Sequence, residues 1–229
     1  MNRAVGQTVV DASLEAIARR GRFLFVLNGG ETPKPLFKLL GSDLRNKIDW
    51  GKTQIFWGDE RCVAPNDEGS NYGQAQEAFM KNIDIPDANI HRIKGELEPG
   101  EASMDYALVL KRFANAPFDW PRFDLILLGM GADGHTASLF PGSEVNASSP
   151  TLAVTAHYQD RPADRVTLTP LVFNAARQIV FLVSGEGKSQ TLADVLYGDY
   201  QPDKFPAQRI RPTDGELIWM VDNLAAKEI

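Results

Sequence analysis

Phe23-Leu24-Phe25-Val26-Leu27 is an unbroken apolar run, and Asn28-Gly29-Gly30-Glu31-Thr32-Pro33 follows it directly. A short run without alternation suits a strand covered on both faces, the kind that builds parallel sheets with helices above and below. Upstream, Thr8–Arg20 puts Val10, Leu14, Ile17 and Ala18 on one helical face and stops at Gly21. Downstream, Gln54–Trp57, Phe123–Leu128, Leu152–Thr155, Gln178–Val183 and Glu216–Val221 read as further strands. Helical spacing fills Pro35–Lys47, Asn71–Asn82, Glu101–Ala114, Pro170–Ala176 and Lys188–Leu196, and Asn223–Glu228 reads as a short closing helix. This alternation predicts an α/β fold with a mainly parallel sheet flanked by helices. Gly198–Pro212, with Pro202, Pro206 and Pro212, reads as a long surface loop.

The chain has 229 residues, 43 % of them hydrophobic and 24 % charged, the composition of an ordinary globular protein. No repeat or long linker divides it, so a single domain over residues 1–229 is expected. Its one cysteine, Cys62, excludes an internal disulfide and a cysteine-based metal cluster, and points to a reducing, cytoplasmic home. No apolar stretch approaches the roughly 18 residues of a membrane span, and Asp11 and Glu15 interrupt any leader-like core near the start. A net charge of −6 argues against nucleic acid or anionic membrane as partners. An anionic ligand therefore needs a local basic pocket.

Open α/β sheets bind ligands beyond the carboxyl ends of their strands, so the residues after each apolar run carry the functional reading. After Leu27, Gly29 and Gly30 let backbone amides approach a ligand, and the helix that follows can hold a phosphate at its N-terminus. The same residues also describe a turn that binds nothing, and Glu31 favours an anion only if its carboxylate faces away. After Trp57 come Asp59, Glu60 and Arg61, then a polar loop to Ser70 and Asn71. These residues suit acid–base chemistry and an anion contact, or equally a solvated loop with Arg61 paired to a neighbouring acid and Ser70 capping a helix.

The run Gly129-Met130-Gly131-Ala132-Asp133-Gly134-His135-Thr136-Ala137-Ser138-Leu139-Phe140-Pro141-Gly142 follows the Phe123–Leu128 strand. Gly129, Gly131 and Gly134 match a dinucleotide fingerprint formally, but Asp133 would face a pyrophosphate and Pro141 cuts the next helix to about one turn. The glycines instead bend the chain and expose Asp133 and His135. Histidine is the side chain best suited to take a proton near neutral pH, and Asp133 can fix its tautomer. A structural histidine bonded to backbone is the ordinary alternative. His91 reads as a strand side chain and His157 as a loop residue, and the three histidines lack metal-ligand spacing. Arg165 precedes Val166-Thr167-Leu168-Thr169, and Lys188 opens a helix after Gly187. Leu182 stands where a P-loop needs its first glycine, so that motif fails. A lysine at a helix start opposes the dipole, which a bound anion or plain solvent exposure would explain.

Together these segments resemble the 6-phosphogluconolactonase family, within the group that includes glucosamine-6-phosphate isomerases/deaminases. The resemblance runs through Gly29–Pro33, Gly58–Arg61, Ser70-Asn71, Gly129–Gly142, Arg165–Thr169 and Gly187-Lys188, in the family's order across nearly the whole chain. Glu31 departs from the serine more usual there. It implies a modified Rossmann-like domain of the NagB/RpiA/CoA transferase-like type, no cofactor or metal, and hydrolysis of 6-phospho-D-glucono-1,5-lactone in the oxidative pentose phosphate pathway by a monomer or weak homodimer. The isomerase/deaminase branch carries a glutamate five residues after the histidine, where this chain has Phe140. Lactone hydrolysis needs a nucleophilic water, oxyanion stabilisation and a proton for the leaving oxygen. His135 is the expected base, Asp133 its orienting partner and Arg61 a holder of substrate oxygens. Asp59 and Asn71 are expected to shape the sugar site. The amides of Gly29, Gly30 and Thr32, with Arg165 and Lys188, are expected to grip the phosphate. Three other readings stay open: the isomerase/deaminase chemistry, which releases ammonia; a non-catalytic sugar-phosphate sensor; and a dinucleotide-dependent oxidoreductase.

Overall fold

The strand β1 (Phe23–Leu27) is buried at every position, as its unbroken apolar run requires. In the computed structural model, which describes residues 1–114, 116–143, 148–158 and 161–229, it lies at the centre of a parallel sheet. The other strands of that sheet are β2 (Thr53–Trp57), β4 (Ile90–His91), β5 (Leu125–Gly129), β8 (Gln178–Val183) and β9 (Glu216–Val221). Their order is β4-β2-β1-β5-β8-β9, and each neighbouring pair is parallel. From β1 the chain builds outward to β2 and β4 on one side, then returns through β5 to β8 and β9 on the other. The reversal opens a crevice at the carboxyl ends of β1 and β5.

The remaining strands, β3 (Asp59–Arg61), β6 (Thr151–Thr155) and β7 (Asp164–Leu168), form a separate antiparallel sheet in the order β3-β7-β6. Leu152–Thr155 therefore belongs to this sheet rather than the parallel one. Asp59, Glu60 and Arg61, expected in a loop, are a strand paired with Thr167, Val166 and Arg165. Their charged side chains hide a strand from any reading based on apolar runs.

The helices are α1 (Asn2–Arg20), α2 (Lys34–Leu40), α3 (Asn71–Ala78), α4 (Pro99–Lys111), α5 (Pro170–Phe173) and α6 (Ser189–Tyr197). Helix α1 packs on β1 and α2, and α4 lies on β6 and β7. Gly21 ends α1 with φ of 75°. The buried stripe of α1 is Val5, Val9, Val10, Ser13 and Ala16, while Leu14 is 58 % exposed, so the expected face is turned away from its true position. The helix begins at Asn2, earlier than expected, so that Val5 and Val9 join the buried stripe. Helix α2 stops at Leu40, and the chain from Gly41 to Lys47 continues in turns. Asn223–Glu228 also forms turns rather than a helix, with Asp222 accepting hydrogen bonds from the amides of both Gly185 and Ala225.

Gly198–Pro212 is not a surface loop throughout. Phe205, Pro206, Ala207, Gln208 and Ile210 are buried. The amide of Ala207 donates to the Gly134 carbonyl at 2.9 Å, and that of Gly142 donates to the Asp203 carbonyl at 2.8 Å. The buried Gln208 amide bonds the backbone at Gln201 and Asp199. The segment thus braces the turn that carries Asp133 and His135.

Candidate active site

Past the end of β5 the chain folds back on itself, the Gly131 amide donating to the His135 carbonyl at 2.9 Å. A Cβ on Gly131 would lie 2.1 Å from His135 Nδ1 and 2.5 Å from Asp133 Oδ1, so only glycine leaves room for the pair. His135 Nδ1 meets Asp133 Oδ1 at 2.6 Å. That contact directs the Nδ1 proton to the carboxylate and leaves Nε2 with a free lone pair. Burial raises the Asp133 pKa, but the hydrogen bonds and charge of His135 outweigh it and hold the carboxyl below its ordinary value. The imidazole is 16 % exposed, sheltered yet reachable. Phe140 and Tyr158 flank it, each with a ring centroid 4.7 Å away.

The cavity beside His135 has a volume of about 260 Å³, and it gathers Gly29, Gly30, Thr32, Asp59, Arg61, Asn71, Arg165 and Lys188. Every expected site residue except Asp133 lines it, and Asp133 stands behind His135. Arg61 and Arg165 face one another across the β3–β7 pairing. Arg61 donates through Nη1 to the Gly69 carbonyl at 2.6 Å, not to a neighbouring acid. Arg165 stacks over Phe140 with its guanidinium carbon 5.4 Å from the ring centre. Burial, then the nearby Arg61 charge, lowers the Arg165 pKa. Its Nε and Nη2, and Nε of Arg61, are buried without a hydrogen-bond partner among the described residues. Two desolvated guanidiniums side by side are costly unless an anion or an oxyanion completes them.

Asp59 is committed to the protein: Ser138 Oγ donates to it at 2.7 Å and Asn71 Nδ2 at 3.2 Å. It therefore ties the small sheet to the histidine turn and to α3. Glu60 points the other way, accepting from Ser70 Oγ and from the amides of Asn71 and Tyr72 at the start of α3. Burial pushes its carboxyl above the ordinary value against those four stabilising donors, which include the Arg61 amide. Ser70 accepts from the Gly73 amide and so is the cap of α3.

At the other end of the cavity, the amides of Gly30, Glu31 and Thr32 donate to no protein acceptor among the described residues. Glu31 turns outward to Lys34 at 2.6 Å, which removes its carboxylate as an obstacle to an anion. The Thr32 hydroxyl lies 3.1 Å from that of Ser184. Lys188 sits at the start of α6, and burial lowers its pKa while the Asp222 charge opposes that. No carboxylate lies within ion-pair distance of Lys188 among the described residues. Arg161 and Tyr158, from the segment joining β6 to β7, also line the cavity. Sequence reasoning missed both, because no local motif marks a residue brought in by a hairpin tip. Arg209 and Arg211 do not reach it. Arg209 pairs with Asp203, and Arg211 stacks on Tyr200 at 4.0 Å. His91 is a strand residue as expected, its Nε2 meeting Gln54 Oε1 at 2.7 Å. Among the described residues no helix is long and apolar enough to cross a membrane.

Known proteins resemble this chain in sequence and in fold. The family described as glucosamine-6-phosphate isomerases/6-phosphogluconolactonase matches residues 1–219. A 6-phosphogluconolactonase of Synechocystis sp. is 39 % identical over 217 residues, covering 94 % of this chain and 88 % of the relative. The crystal structure of the devB protein superposes with a TM-score of 0.89 at 38 % identity, over 100 % of this chain and 96 % of the other. That of 6-phosphogluconolactonase from Thermotoga maritima gives a TM-score of 0.83 at 26 % identity, over 96 % and 95 %. The chain belongs to the family of glucosamine-6-phosphate isomerases and 6-phosphogluconolactonases.

Proposed function

We propose that the protein hydrolyses 6-phospho-D-glucono-1,5-lactone to 6-phospho-D-gluconate, as a 6-phosphogluconolactonase of the oxidative pentose phosphate pathway. The observation that carries this reading is the Asp133–His135 contact of 2.6 Å, opening onto a cavity lined by Arg61, Arg165 and Lys188. His135 Nε2 takes a proton from water as the water oxygen attacks the lactone carbonyl. Asp133 keeps the imidazole in the right tautomer and stabilises its charged form. The electron pair of the carbonyl moves onto oxygen, where Arg61 stabilises it. Collapse breaks the bond to the ring oxygen, which receives the proton from the imidazolium. Lys188, Arg165 and the amides of Gly29, Gly30 and Thr32 hold the distant phosphate, so that binding energy there positions the carbonyl. Asp59 and Asn71 shape the wall between the two ends. The scheme uses protein groups and water.

Phe140 favours this chemistry over ring opening and deamination. The position where the isomerase/deaminase branch has a glutamate carries a buried phenyl ring packed on His135, which moves no proton. The reading extends to one domain over residues 1–229, working as a monomer or weak homodimer in the cytoplasm. A single family match over residues 1–219 supports the first part, and the free thiol of Cys62 supports the last. The test is a rapid assay with freshly generated lactone, because the compound also opens spontaneously. Acceleration over the spontaneous rate is expected. Ammonia release from glucosamine 6-phosphate with no effect on the lactone would replace this reading with the isomerase one, and binding of 6-phosphogluconate without acceleration would leave a sensor.

A further inference from the structure

Asn28 directly follows β1, lines the cavity and is 8 % exposed. An asparagine between a strand and a helix ordinarily caps backbone amides. This one caps nothing among the described residues: α2 has no side-chain cap, and the Asn28 Oδ1 is buried without a hydrogen-bond partner there. No hydrogen bond of its amide to another protein group occurs among the described residues. Its neighbour Asn71, 1 % exposed, differs in one respect. Asn71 Nδ2 donates to the Asp59 carbonyl at 2.9 Å and to its carboxylate, which fixes the amide and leaves Oδ1 without a partner among the described residues. That oxygen lies against Gly29, where a Cβ would come within 1.8 Å of it. The backbone has given up a side chain at Gly29 so that the Asn71 amide can sit there.

Buried carboxamides left unpaired cost free energy unless something else completes them. The charged groups around them serve anions: Arg61, Arg165 and Lys188 are donors only, while Asp59 is occupied by Ser138 and Asn71. Two neutral amides in a cavity that also holds cationic groups and a histidine suit a ligand segment that carries hydroxyls, which can donate and accept in the same place. In a 6-phosphorylated 1,5-lactone that segment is C2 to C4, lying between the carbonyl and the phosphate-bearing carbon.

We propose that Asn28 is a specificity-determining residue whose carboxamide hydrogen-bonds a ring hydroxyl of the substrate, so that the site selects polyhydroxylated phospholactones over deoxygenated ones. The proposal rests on the lactonase reading above. Asn71, with its amide already held by Asp59, supplies a second and rigid contact to the same segment. Asn28, whose Oδ1 has no hydrogen-bond partner among the described residues, lines the same cavity and supplies the other contact.

The experiment compares wild-type and Asn28→Ala proteins on freshly generated 6-phosphoglucono-1,5-lactone and on its 2-, 3- and 4-deoxy analogues. The substitution is expected to lower kcat/KM on the parent lactone by roughly 10-fold to 100-fold, and to leave kcat/KM on one deoxy analogue nearly unchanged. The wild-type preference for hydroxyl at that carbon then collapses. An equal fold-change on the parent and all three analogues would overturn the proposal. Asn28→Ser, which keeps a short polar group, provides the same comparison if the alanine variant fails to fold. A wild-type protein that does not accelerate opening of the parent lactone would instead defeat the lactonase reading itself.

Discussion

The two sheets divide the work of this molecule. The parallel sheet is built from strands such as β1 and β8, whose side chains are apolar and almost wholly buried. The antiparallel sheet has in β3 a strand of three charged residues, Asp59, Glu60 and Arg61, also buried, and in β7 the buried Arg165. Burial in the first returns free energy through apolar contact; in the second it strands guanidinium nitrogens that have no partner among the described residues. Apolar burial dominates the first sheet, while the second contributes buried guanidiniums to the cavity that the loops after β1 and β8 also line. The histidine turn lies between them, rooted in β5 and tied to β3 by the Ser138–Asp59 hydrogen bond.

The largest expected effect that would sharpen this contrast is in the parallel sheet. Phe181 is fully buried in β8 and stacks on Trp219 with ring centroids 4.0 Å apart. Phe181→Ala should cost about 3–5 kcal/mol in urea unfolding, with turnover per folded molecule unchanged. Loss of turnover without loss of stability would break the division. Arg165→Ala in the small sheet should do the reverse. It is expected to lower kcat/KM by about 100-fold, while the thermal midpoint holds or rises, because the residue removed is a buried cation with unpaired nitrogens. A large fall in stability with normal kinetics would mean that Arg165 is structural.

The smallest effect concerns the histidine of the parallel sheet. Burial, with a contribution from Arg112, lowers the His91 pKa from 6.5 to about 4. The folded state therefore prefers the neutral ring. The stabilisation is complete above the unfolded value and is lost as pH falls through about 4. Unfolding midpoints measured between pH 7 and pH 4 should fall more steeply for the wild type than for His91→Phe. Parallel curves would show that His91 does not contribute.

Much of the parallel sheet was legible because an apolar run needs no partner to be recognised. The limits of β1, β8 and β9 follow directly from their sequences. Of the antiparallel sheet only β6 was, since β3 is stabilised as a strand by pairing with a distant β7 and its charges imitate a loop. The site was readable where a chemical need lies within one segment, as in Asp133-Gly134-His135. Arg161 and Tyr158 enter the cavity through tertiary folding alone. The braced segment around Phe205 was misread for the opposite reason. Its prolines announce a loop, but three-dimensional contact with Gly134 buries it.

The most direct test of the account is the rate at which His135→Ala opens freshly generated lactone, measured on protein whose unfolding curve matches the wild type. Removal of a positioned general base predicts a loss of roughly 100-fold to 10,000-fold in kcat. Turnover equal to the wild type would contradict the central claim that this imidazole activates the attacking water.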